Sequence, residues 1–133
     1  MKPETELFLA KSREPFRQAG VMASIGENEA AGRAAYLAGF NAAQVLIFER
    51  EGRVFKTHRG AQGELAHLVK DDPRFDIDVR TFVGRAYNLK AIADYETGSE
   101  AKVTEAQAAE SIDEAQRFFA AVESVIRASD ESP

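Results

Sequence analysis

Residues 28–49 read NEAAGRAAYLAGFNAAQVLIFE. At 100° per residue the Ala, Leu, Val, Ile and Phe of this stretch fall on every face, so it forms a helix that no single neighbour can cover, and it belongs at the centre with other helices around it. Its many small side chains allow those helices to come close. Four polar residues interrupt it, Arg33, Tyr36, Asn41 and Gln44, and all lie within about 80° of Arg33 around the helix axis. A polar stripe on an otherwise buried helix needs partners, because an unpaired buried charge costs several kcal/mol.

On the N-terminal side, a run from about Glu4 to Ser24 is amphipathic. Pro15 lies inside it and must start or kink that helix, since proline lacks the N–H of the helical ladder. Ile25-Gly26-Glu27-Asn28 reads as a stop and a new start. On the C-terminal side Gly52 breaks the pattern, and Thr57 is placed to cap a short helix over residues 58–69, weakened by two glycines. Asp71-Asp72-Pro73 reads as a loop with the proline at the first position of the next helix. FDIDVRTF, residues 75–82, alternates as a strand would. Yet Phe75, Val79, Phe82, Ala86, Leu89 and Ala93 step by four and three, a helical seam that outlasts the alternation. Thr97-Gly98-Ser99 ends that helix. Val103-Thr104 opens a last one with the seam Ala108, Ile112, Ala115, Phe119, Val122 and Ile126. The expectation is an all-α fold: an up-and-down bundle of four long helices plus one short helix, joined by short connections. One domain covers residues 1–133, with its core over about 5–127 and a polar tail at 128–133.

The 133 residues suit one hydrophobic core, and at this size neither a metal nor a disulfide is needed to hold it. Zero Cys removes thiol nucleophiles, Fe–S clusters and Cys-based zinc sites, and with only two His a multi-His metal site is not expected. No cofactor is expected either. The N-terminus lacks an apolar signal core and no apolar run is long enough to span a bilayer, so a cytoplasmic protein without a membrane segment is the expectation. Net charge is −5, and residues 100–133 supply all of it with 3 basic and 8 acidic side chains. The locally basic stretch is Arg50, Arg53, Lys56 and Arg59, and an anionic partner is expected there.

Polar residues flank the seam of the fourth helix: Arg85, Asn88 and Tyr95 on one side, Tyr87, Lys90 and Asp94 on the other. Lys90 and Asp94 form an i, i+4 pair. Two readings stay open from spacing alone. One is a surface ion pair worth a few tenths of a kcal/mol, with Tyr95 at the core edge. The other is a polar groove in which Arg33 and Asn41 face Arg85, Lys90 and Asp94 and hold phosphate or a partner. Arg53 and His58 also stand in an Arg, four residues, His pattern. His58 there reads as a packing residue or anion contact, and His67 as a residue near a helix C-terminus.

GRAAYLAGFNAAQVLI (residues 32–47), KTHRG (56–60), LKAIADYETG (89–98) and VTEAQAAESIDEAQRFF (103–119), in that order and spacing, resemble the prokaryotic HEPN domains over about residues 5–127. In the similar sub-family the central helix carries an Arg, an aromatic and a Phe-His, positions held here by Arg33, Tyr36, Phe40 and Asn41, with Asn in place of His. The later motif is an Arg three residues before Ala-Asp-Tyr. Ala93, Asp94 and Tyr95 match it, and Lys90 replaces the Arg.

Many HEPN domains are metal-independent ribonucleases with an Arg and a His on the later helix, paired across a dimer. This later helix has no His, and an Asp ionised at neutral pH is a poor proton donor. The resemblance therefore implies a binding module, non-catalytic or weakly active. It would be a homodimer, partnered by a small nucleotidyltransferase as in toxin–antitoxin pairs, and would contact nucleotide or RNA through Arg33, Tyr36, Asn41, Arg85, Lys90, Asp94, Tyr95, His58 and Arg59. The alternative is a ribonuclease toxin with a non-standard site drawn from Lys90, Asp94, Tyr95 and His58. The third reading is a structural adaptor.

Overall fold

The computed structural model describes residues 2–95 and 103–131, which form five helices and no strand. They are α1 (Pro3–Ser24), α2 (Asn28–Glu51), α3 (His58–Val69), α4 (Ile77–Tyr95) and α5 (Glu105–Glu131). The all-α bundle of four long helices and one short one is thus the observed architecture. The expected stop at Thr97-Gly98-Ser99 lies outside the described residues.

Each helix begins and ends for a local reason. Pro3 occupies the first turn of α1, where its missing N–H costs nothing, and Glu4 and Glu6 face the positive end of the helix dipole. Pro15 does not start a helix. It lies buried inside a continuous α1, one turn after Ser12, whose buried hydroxyl donates to the Leu9 carbonyl at 2.7 Å. The chain leaves α1 through Gly26 at φ 79°, a left-handed conformation that a Cβ would strain. Gly26 N–H donates to Ala23 O (3.1 Å) and Glu27 N–H to Met22 O (2.9 Å), closing the last turn. The N-terminus is tied to the far end of α2, where the Glu49 carboxylate accepts from Lys2 N–H (3.1 Å) and Thr5 Oγ1 (2.5 Å).

Two boundaries differ from the sequence expectation. Pro73 sits in a turn rather than at the head of α4. The helix begins at Ile77, after Asp76 accepts from Val79 N–H at 2.9 Å, because an aspartate cap satisfies an open helical donor that proline cannot. Phe75 therefore reaches the core from the turn, 6.2 Å from the Phe118 ring. On α5, Thr104 and Gln107 cap reciprocally, with Gln107 N–H on Thr104 Oγ1 (3.1 Å) and Thr104 N–H on Gln107 Oε1 (2.9 Å). The expected α5 seam is shifted in part. Ser111 and Phe118 are buried while Ile112 and Phe119 are half-buried, since a stripe at 3.6 residues per turn is wider than a strict heptad line. Helix α5 also continues to Glu131 through the segment expected as a tail.

Helix α2 is central, as its all-round apolar sequence requires, and touches α1, α3, α4 and α5. Its approach to α4 is set by Gly39. A Cβ at that position would collide with the Phe82 ring, so the ring lies directly against the α2 backbone. Farther along, Tyr36 meets Tyr87 with ring centroids 5.6 Å apart. Falling numbers on α2 thus pair with rising numbers on α4, and the two helices run antiparallel.

Gly39→Ala is expected to destabilise the protein by ~1–3 kcal/mol through overpacking, against its gain in helix propensity. A Cβ added at Gly63 on α3 would meet nothing within 4 Å, so Gly63→Ala is expected to stabilise by ~0.5–1 kcal/mol. Thermal melts of the two variants check both signs.

Candidate functional site

The antiparallel crossing of α2 and α4 gathers aromatic rings where α3 begins. Tyr36 is 1% exposed and its phenol is hydrogen-bonded to His58 Nδ1. His58 packs 5.1 Å from Phe40, 5.3 Å from Tyr36 and 5.0 Å from Tyr87 between ring centroids. Burial, and then the neighbouring Tyr87, push ionisation of the Tyr36 phenol well above its ordinary range. Tyr36 therefore keeps its proton. The phenol and Nδ1 thus share one hydrogen bond, made by a histidine side chain that is otherwise exposed to solvent.

Two sets of hydrogen bonds place His58 there. The Gln44 carboxamide donates to Phe55 O at 2.6 Å and accepts from Phe55 N–H at 3.0 Å, pairing with the α2–α3 connection as a neighbouring strand would. The capping hydroxyl of Thr57 accepts from Gly60 N–H at 3.0 Å and fixes the first turn of α3, whose first residue is His58. Thus Gln44 serves the loop, while Tyr36 serves the histidine.

Cations flank this cluster. Arg33 lies one turn before Tyr36 on α2 and is exposed; Lys90 lies one turn after Tyr87 on α4 and is half-buried. Because the helices are antiparallel, the two stand at the same level of the bundle. Arg59 follows His58 on α3 and is exposed.

The other expected groove residues go elsewhere. Arg85 turns to α5, where it pairs with Glu114 at 2.8 Å and bonds Thr81. Asn41 faces α1 across a recess shared with Phe8 and Lys11. The side chains of Asp94 and Tyr95 lie outside the described residues. Arg53, of the Arg-to-His pattern, is drawn away from His58: it lies over the Phe55 ring at 4.6 Å and pairs with Glu51 at 3.1 Å. His67 sits at the far end of α3 beside Arg50 and Lys70. Sequence reasoning omitted Phe40 and Tyr87 from the site. Both were signalled, Phe40 one turn from Tyr36 and Tyr87 on the same flank as Lys90.

Among the described residues no cluster of His, Asp or Glu forms a metal-binding group, and no helix is long and apolar enough to cross a membrane. A family model for the HEPN domain matches residues 5–125. The chain belongs to the HEPN domain family. No curated protein matches it. The matched span of this HEPN domain runs from the N-terminal tie of α1 at Thr5 into the last turns of α5.

Gln44→Leu is expected to cost ~1–3 kcal/mol by leaving the Phe55 backbone groups unpaired. Hydrogen exchange should quicken at the Phe55 amide and the His58 ring resonances should shift, while the long helices keep their protection.

Proposed function

We propose that this HEPN domain is a binding module, non-catalytic or weakly active, that holds a phosphate of a nucleotide or RNA at the Tyr36–His58–Tyr87 cluster. The observation that carries the reading is the hydrogen bond between the buried Tyr36 phenol and His58 Nδ1, which holds an exposed imidazole against Tyr36 and Tyr87, one turn from Arg33 on α2 and from Lys90 on α4. An exposed imidazole with cations on the neighbouring helical turns suits a phosphate, and aromatic rings beside it suit a base. Supporting the non-catalytic side, the Tyr36 phenol is not available as a base at neutral pH, and Arg53 is engaged away from His58. The module acts as a homodimer, with a small nucleotidyltransferase as the protein partner; exposed Val21 on α1 and Ile25 at its end offer apolar surface for such contacts.

A second reading, a ribonuclease with a non-standard site, is favoured by the same His58, since an exposed imidazole is also an acid–base group.

The two separate in one experiment. RNA binding is expected to weaken with rising salt and to fall on Arg33→Ala or Lys90→Ala, while cleavage stays slow or absent. Robust cleavage abolished by His58→Ala would establish the ribonuclease. For the homodimer, sedimentation at micromolar concentration is expected to give twice the 14.6 kDa chain mass. A single species of the chain mass would remove the homodimer from the proposal.

A further inference from the structure

A recess of about 210 Å³ opens between α1, α2 and the α2–α3 connection, lined by Phe8, Lys11, Phe40, Asn41, Gln44 and Val54. We propose that it is a nucleobase subsite continuous with the phosphate site, an inference that rests on the nucleotide or RNA reading above. Its size points to a single ring system, since pockets for whole drug-sized ligands run ~300–1,000 Å³. Its walls are two phenyl rings and a valine, and two of these are solvent-exposed: Phe8 at 36% and Val54 at 50%. An apolar ring left open to water, here that of Phe8, is a surface on which a base stacks.

The polar atoms then decide what enters. Gln44 spends both ends of its carboxamide on Phe55, so it cannot read a ligand. The Asn41 amide is in the same recess, and among the described residues its side chain has no hydrogen-bond partner. A free carboxamide offers one donor and one acceptor in a plane, which matches the adjacent donor and acceptor on the edge of adenine. Lys11 stands at the rim, and among the described residues no carboxylate lines the recess to repel a nucleotide.

Phe40 joins the two sites, since it lines the recess and packs against His58. Asn41 and Arg33 are eight residues apart on α2, which is about 12 Å along the helix. Leu37, 45% exposed, lies between them as an apolar floor. A base seated on Asn41 thus leaves its backbone directed along α2 toward Arg33, His58 and Lys90.

The test is a nuclear magnetic resonance titration of the full chain with AMP, adenosine, inorganic phosphate, and tetranucleotides of A and of U. AMP and adenosine are expected to shift the Asn41 side-chain amide, whereas phosphate alone shifts Arg33 and Lys90 and leaves Asn41 in place. Asn41→Leu and Phe8→Ala are expected to weaken AMP about tenfold, and Asn41→Leu to abolish any preference for A over U, with the phosphate response unchanged. Tighter binding of the A tetranucleotide than of AMP identifies RNA as the source of the base; equal affinity identifies a mononucleotide. If AMP or RNA binds but Asn41 stays unshifted and Asn41→Leu binds equally well, the subsite is overturned and the phosphate reading survives. If none of the probes binds, both fall. An Asn41 signal that broadens with protein concentration alone shows the recess covered by a second copy, which also overturns the subsite.

Discussion

The contact between Gly39 and Phe82 is the constraint on which the rest of the molecule depends. With no side chain at Gly39, the Phe82 ring rests on the α2 backbone, and the spacing of α2 and α4 follows from the thickness of that ring. Phe82 also packs against Phe118 of α5, at 5.8 Å between centroids, so the same ring fixes the third helix of the core. At this separation Tyr36 and Tyr87 meet across the two helices, and the antiparallel sense brings Arg33 level with Lys90. Close approach at one residue therefore sets both the core and the distances within the site.

Much of the fold is legible in the sequence because burial imposes a period. The all-round apolar face of residues 28–49 identifies the central helix, and Thr57, placed to cap a glycine-weakened short helix, does cap α3. What misleads is chemistry at the ends. Pro73 has the look of a helix opener, but Asp76 captures the Val79 amide and the helix starts there, leaving Phe75 to reach the core from a turn. The α5 seam drifts because a four-three step approximates a stripe that is two side chains wide.

The site was legible only in outline. Arg33, Tyr36, Asn41 and Gln44 form one polar stripe on paper, yet the stripe spreads over about 140° from Tyr36 to Asn41 and so spans more than one neighbour on a helix. Tyr36 meets α3, Gln44 meets the connection before it, and Asn41 meets the recess beside α1. Periodicity says which face a residue occupies. It does not say where a six-residue connection will run, and the path of residues 52–57 is what carries His58 onto Tyr36. The pairing of Gln44 with Phe55, which steers that path, joins a side chain to a backbone and leaves no pattern in sequence.

His58 is the first residue of the shortest helix, and that placement has a thermodynamic consequence. Helix α3 is held by three buried side chains, Ala61, Leu65 and Val69, and carries two glycines, whereas α2 buries residues along its whole length. Segments with few buried contacts open locally while the global fold persists. When the first turn of α3 opens, the imidazole leaves the phenol and the site ceases to exist, although the four long helices remain folded. Any ligand that needs His58 in place is therefore recruited only by the closed fraction, and its apparent affinity is the intrinsic one scaled by that fraction. A ligand bound there would in turn anneal α3, making the order of this helix a direct report of occupancy.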